Sequence, residues 1–195
     1  MFNKFALKIT ESLVENSVIN EVDSEIYVFG FKNGFVILFN IAVTLTIGFI
    51  LGMPLESLLF LFVFIPLRSC AGGIHASNNT RCLILSAIAV VLLLIAANMI
   101  MTVVNIPMIV ITAVVCVAVL YMLSPVQDAN KPLDDDEIKL YKKRTTKILC
   151  AEFGLLLILS LFGFRLASIV LTLTLLFVCF SVCAGALKNK INNAG

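Results

Sequence analysis

One fifteen-residue segment, Arg68-Ser-Cys-Ala-Gly-Gly-Ile-His-Ala-Ser-Asn-Asn-Thr-Arg-Cys82, holds nearly every rare reactive group of this chain. It contains the sole histidine, His75, with Cys82 seven residues later. A thiolate is the nucleophilic form of cysteine, yet a free thiol with a pKa of about 8.5 is mostly protonated at neutral pH unless an imidazole or a cation favours the charge. His75, Arg68 and Arg81 are such groups. In a nucleophilic reading Cys82 attacks a carbonyl, and His75 takes the thiol proton and later gives it to the leaving amine. Asn78 or Asn79 would orient the ring.

Spacing sets a condition on that chemistry. On an unbroken helix, positions 75 and 82 share a face but differ by about 10 Å in height, beyond hydrogen-bond reach. A working pair therefore needs a break in the helix. The polar run Ala76 to Arg81 is one place for it, and Gly72 and Gly73 permit unusual dihedrals and close backbone approach. Plainer alternatives stand beside this one: a cysteine at the start of a membrane helix is usually packing, and a lone loop histidine is usually a surface residue. Cys70 competes as nucleophile. A metal site of Cys70, His75 and Cys82 has spacings of no common zinc pattern, so no metal and no cofactor is expected.

The elements that must position this segment follow from composition. Of 195 residues, 61% are hydrophobic and only 13% charged, with a mean hydropathy of +1.08. A soluble domain is about half apolar and about a quarter charged, so the chain belongs in a membrane, as an all-α polytopic bundle in one domain spanning 1–195. Apolar runs at 35–52, 54–67, 83–104, 106–123, 148–163 and 166–187 predict about six spans. The second, crowded by Glu56, Pro66 and Arg68, is short enough to be tilted, kinked or re-entrant. With both termini cytoplasmic, all 14 basic residues except Arg165 fall inside, a strong positive-inside pattern. This orientation puts 68–82 at the cytoplasmic face, where reducing conditions keep a thiol free.

Two stretches do not span. Residues 1–34 open with Phe2, Phe5, Ala6, Ile9 and Leu13 at helical spacing, predicting an amphipathic helix on the inner leaflet; no signal-peptide core is present near this end. Residues 124–147 read as a cytoplasmic loop with an acidic run at 134–137 and basic residues after it, a solvated connector with inner-leaflet anchors. A net charge of +2 with no aromatic-interleaved basic stripe argues against a nucleic-acid partner. Six cysteines without a CxxC pair suggest neither a disulfide framework nor a zinc ribbon. Cys116, Cys150, Cys179 and Cys183, in or beside spans, are expected to be buried thiols.

The string RSCAGGIHASNNTRC after a short second span, followed by two long spans, SPVQDANKP and a basic stretch, resembles the accessory gene regulator protein B family of bacterial quorum sensing. Gly-Gly-x-His with Cys seven residues after the His is its specific part. The resemblance implies a multi-pass cysteine endopeptidase of the cell membrane. It would cut the C-terminal tail from a small precursor peptide of the accessory gene regulator D type and help form a cyclic thiolactone or lactone. Cys82 takes the nucleophile position and His75 its partner, while Arg68, Gly72 and Gly73 match supporting positions; Asn79 is a further candidate support. Lys131 before Pro132 matches the family's loop after the fourth span, as a substrate-binding residue, although this chain has a single lysine where the family has adjacent ones. A homodimer is also implied. The competing classes are a transporter, for which Glu152 is the nearest intramembrane ionisable group, and a purely structural membrane protein.

Overall fold

The computed structural model describes residues 2–73, 79–127 and 134–192, with 79–82 described by their backbone alone. Seven α-helices appear among these residues: α1 (Phe2–Glu15), α2 (Ser24–Ile50), α3 (Pro54–Ala71), α4 (Asn79–Ile100), α5 (Ile106–Leu123), α6 (Asp135–Leu161) and α7 (Arg165–Asn192). No strand is present among them, so the chain is an all-α membrane bundle. Five helices, α2, α3, α4, α5 and α7, are long and apolar enough to cross a bilayer unaided. Their outward side chains are large and apolar, as with Phe62, Leu92, Ile111 and Phe180. Water would make such a surface a liability, whereas lipid solvates it.

α7 forms the axis. It packs against α3, α4, α5 and α6, and its buried positions Leu171, Leu175, Val178 and Val182 recur at spacings of three and four, the stripe one helix needs to sit against several others. α3 crosses it on one side. Pro66 lies inside α3 without ending it, and the helix runs 18 residues to Ala71. The proline ring faces outward, and the segment whose full crossing the sequence left open is long and apolar enough to span because the helix continues through it to Ala71.

The stretch expected as a loop at 124–147 is helical in its second half. Asp134 and Glu137 open α6, with Glu137 Oε2 accepting from the Asp134 amide at 3.3 Å. Asp135, Asp136 and Glu137 then occupy the first turn, where carboxylates meet the positive end of the helix dipole. The expected fifth span, 148–163, is thus the second half of a 27-residue helix, whose charged residues keep it out of the five apolar spans. It packs inside the bundle on α3, α5 and α7. α2 likewise begins earlier than expected, at Ser24, and the N-terminal amphipathic helix stops at Glu15. α1 packs on α2 with Ala6 and Thr10 buried, leaving Phe5 and Ile9 exposed.

Side chains that close the turns do much to hold the helices in place. Arg165, the one cation the charge pattern puts outside, donates through Nε to the Val104 carbonyl at 3.1 Å and so ties the start of α7 to the α4–α5 turn. Small residues let α2 and α3 approach: a Cβ on Gly48 would overlap the Ser57 side chain. Gly48→Leu should therefore destabilise the fold by about 1–3 kcal/mol. Gly30→Leu, where a Cβ meets nothing within 4 Å, should be near neutral. Thermal unfolding of both variants in detergent checks this, and equal midpoints would contradict the close α2–α3 crossing.

Candidate functional site

The candidate site is built where α3 ends. Arg68, in the last turn, donates through Nη1 to the carbonyl of Gly72. Gly72 has φ +76° and ψ −147°, and Gly73 has φ +114°. Such dihedrals are essentially confined to glycine, so the helix breaks here because the residues allow it. Space makes the same demand. A Cβ on Gly72 would run into the Val126 carbonyl, and one on Gly73 would meet the Arg68 guanidinium and, at 3.0 Å, the Ser181 carbonyl of α7.

Val126 fastens the break from the other side. Its amide donates to the Ala71 carbonyl at 2.9 Å, and the two strands of chain pair at Gly72 and Val126 as an isolated parallel bridge. The segment carrying Val126 is itself anchored twice. Lys142 of α6 donates to the carbonyls of Tyr121 and, at 2.9 Å, of Ser124, and its ammonium lies 4.5 Å from the Tyr121 ring centroid. Asn189 of α7 donates to the Gln127 carbonyl at 2.6 Å. Lys142, expected as a solvated anchor, is instead the cap on the carbonyl end of α5. Lys142, Val126, Ser181 and Asn189 are positioning residues that spacing did not single out. The signal for Lys142 was its place on α6, five to seven residues after the acidic helix start at Asp135–Glu137 and thus near the α5 end that α6 follows.

Of the residues expected at the site, Arg68, Gly72 and Gly73 are brought together in one turn. His75 lies outside the described residues, as does Lys131. Asn79 and Cys82 stand in the first turns of α4. The chain leaves α3 at Gly72–Gly73, where the two glycines take the strained dihedrals, and Asn79 to Arg81 of the polar run are helical, while Ala76 to Asn78 lie outside the described residues. Cys70 is half-buried on α3, and Cys116 is buried. Cys150 is exposed on the outer face of α6, contrary to expectation, because the charged first half of α6 does not decide which side of its apolar half meets lipid. No cluster of metal-ligating side chains occurs among the described residues.

The geometry predicts that Gly72→Ala displaces the chain leading into 74–82. The strain is worth about 1–3 kcal/mol. The alkylation rate of Cys82 by a maleimide, followed by peptide mass mapping, should change several-fold in Gly72→Ala and stay at the parental value in Gly154→Ala, whose added Cβ meets nothing within 4 Å.

No curated protein and no solved structure matches the chain significantly. One family does: accessory gene regulator B (AgrB), over residues 6–184. The match takes in α2 to α6 whole, most of α1 and α7, the Gly72–Gly73 break and the α5–α6 connection. With its apolar bundle and this coverage, the chain belongs to the accessory gene regulator B family, membrane proteins of quorum sensing that process an AgrD precursor peptide.

Proposed function

We propose that this protein is a membrane-embedded cysteine endopeptidase that removes the C-terminal tail of an AgrD-type precursor and promotes cyclisation of what remains. The observation that carries the reading is the end of α3 in the Gly72–Gly73 break, with α4 starting among the described residues at Asn79 and bearing Cys82 in its first turn. A continuous helix from 75 to 82 would hold His75 and Cys82 about 10 Å apart in height, so the proposed pair requires the chain between His75 and the first turn of α4 to leave that helical path.

In the proposed reaction His75 accepts the Cys82 thiol proton and the thiolate attacks the carbonyl carbon of the scissile bond. The C–N bond breaks as the imidazolium protonates the departing amine, leaving an acyl thioester on Cys82. A cysteine or serine of the precursor then attacks this thioester, closing the thiolactone or lactone ring and returning the thiol to Cys82. Shelter from bulk water favours ring closure over hydrolysis. Arg68, Gly72 and Gly73 shape the turn, Asn79 supports the ring of His75, and Lys131 holds the acidic tail. In this reading both termini and this chemistry are cytoplasmic, supported by the charge pattern, and a newly made precursor with an amphipathic leader meets them at the inner leaflet. The reading includes a homodimer, tested by crosslinking in membranes.

A carrier reading has one observation of its own. Glu152 is buried in α6, and neither carboxylate oxygen has a hydrogen-bond partner among the described residues. Buried ionisable groups within membrane helices commonly mark transport pathways.

Co-expression with an AgrD-type precursor, followed by mass spectrometry, separates the two. Cys82→Ala and His75→Ala should leave the precursor whole, a loss of at least about a hundredfold, while Cys70→Ala and Glu152→Gln keep tail release. Release by Cys82→Ala would overturn the nucleophile, and intact processing with export lost in Glu152→Gln would favour the carrier.

A further inference from the structure

Beside the helix break lies a cavity of about 220 Å³ enclosed by α2, α3 and α4. Ile41, Phe60 and Phe64 form its apolar wall, Asn40 and Ser86 its small polar edge, and Arg68 stands at the end where α3 turns into Gly72. We propose that this cavity receives the large apolar side chain of the precursor residue whose carbonyl is attacked, making it the specificity pocket of the peptidase. The inference rests on the reading of Cys82 as nucleophile.

Register supports the assignment. Ser86 and Val90 of α4 both line the cavity. Position 82 precedes Ser86 by one helical turn, so 82, 86 and 90 follow one another along one face of α4. A peptide with its scissile carbonyl at position 82 thus has the cavity one turn deeper along the same face, the distance that a side chain next to that carbonyl covers.

The walls specify the chemistry of the occupant. Asn40 donates to the Val36 carbonyl at 3.1 Å and accepts from Ser86 Oγ at 2.9 Å, so its amide is engaged at both ends and serves the α2–α4 contact. Away from Arg68, a polar side chain entering beside this engaged amide gains little in return for its lost water, whereas an apolar one gains by desolvation. The aromatic wall is preformed: Phe60 stacks on Phe64 with centroids 5.1 Å apart and planes 13° apart, and Phe64 in turn packs on Phe177 of α7 at 5.8 Å. The volume is below the roughly 300–1,000 Å³ of pockets that hold whole small molecules and suits one large side chain. A lipid acyl chain shares the apolar chemistry, but nothing about it would require the register with position 82.

The test varies both partners. In bacterial membranes the chain is co-expressed with an AgrD-type precursor carrying Phe, Leu, Ala or Asp immediately before the bond that the released-tail mass identifies. Phe and Leu should be processed at least about tenfold faster than Ala or Asp. Val90→Phe, which fills the cavity, should reverse the preference toward Ala, and Phe64→Leu, which widens it with less risk to folding, should shift the Phe-to-Ala ratio by several-fold. An unchanged ratio in both variants, with Cys82→Ala still inactive, overturns the pocket and leaves the peptidase standing. A lipid that co-purifies with the parent and is lost in Val90→Phe at unchanged ratio does the same. Tail release by Cys82→Ala overturns the peptidase reading itself.

Discussion

The backbone contact between Gly72 and Val126 is the joint on which the candidate site depends. A membrane helix resists interruption because each unpaired amide and carbonyl in hydrocarbon costs free energy, so a break persists only where another segment takes up the freed groups. Here the Ala71 carbonyl receives the Val126 amide, and the Gly72 carbonyl receives the Arg68 guanidinium. Neither arrangement has room for a side chain on the glycine. The same joint draws the α5–α6 connection onto the end of α3, so residues more than fifty positions apart in the chain share one small region.

Two further contacts keep the joint from drifting. Lys142 caps the carbonyl end of α5 from α6, and Asn189 near the end of α7 holds the Gln127 carbonyl. Each hydrogen bond contributes about 1 kcal/mol, more where the donor is charged. Together they link α3, α5, α6 and α7 at one end of the bundle. At the far end Arg165 and the close α2–α3 approach at Gly48 do a comparable service. The bundle is thus pinned at its two ends by polar contacts while its middle is held by aliphatic packing around α7, an arrangement suited to lipid, where burial of apolar surface between helices supplies little driving force.

Much of this was legible in the residues themselves. Hydropathy placed the helices of the membrane bundle, and the GG-x-H…C pattern carried the family resemblance that residues 6–184 bear out. The misjudged elements share a cause. Sequence leaves open whether α3 spans because Pro66 and Arg68 crowd its end, yet the helix continues through an outward-facing proline and the Arg68 guanidinium turns back on its end. The start of α6 was hidden because its acidic first turn and basic second turn resemble a solvated loop, although Asp134-x-x-Glu137 is a helix-start pattern. Charge density was given more weight than local capping.

The residues alone determined the solvent of this protein, the number and rough position of its helices, and which scarce groups are able to do covalent chemistry, because hydropathy and side-chain type are properties of each position. Only the tertiary structure decided that α3 ends in a break at Gly72–Gly73, that Lys142 caps a helix instead of anchoring a loop, and that a cavity opens one turn below position 82. These depend on which distant carbonyl or side chain arrives at a given place, and no local pattern along the chain encodes that arrival.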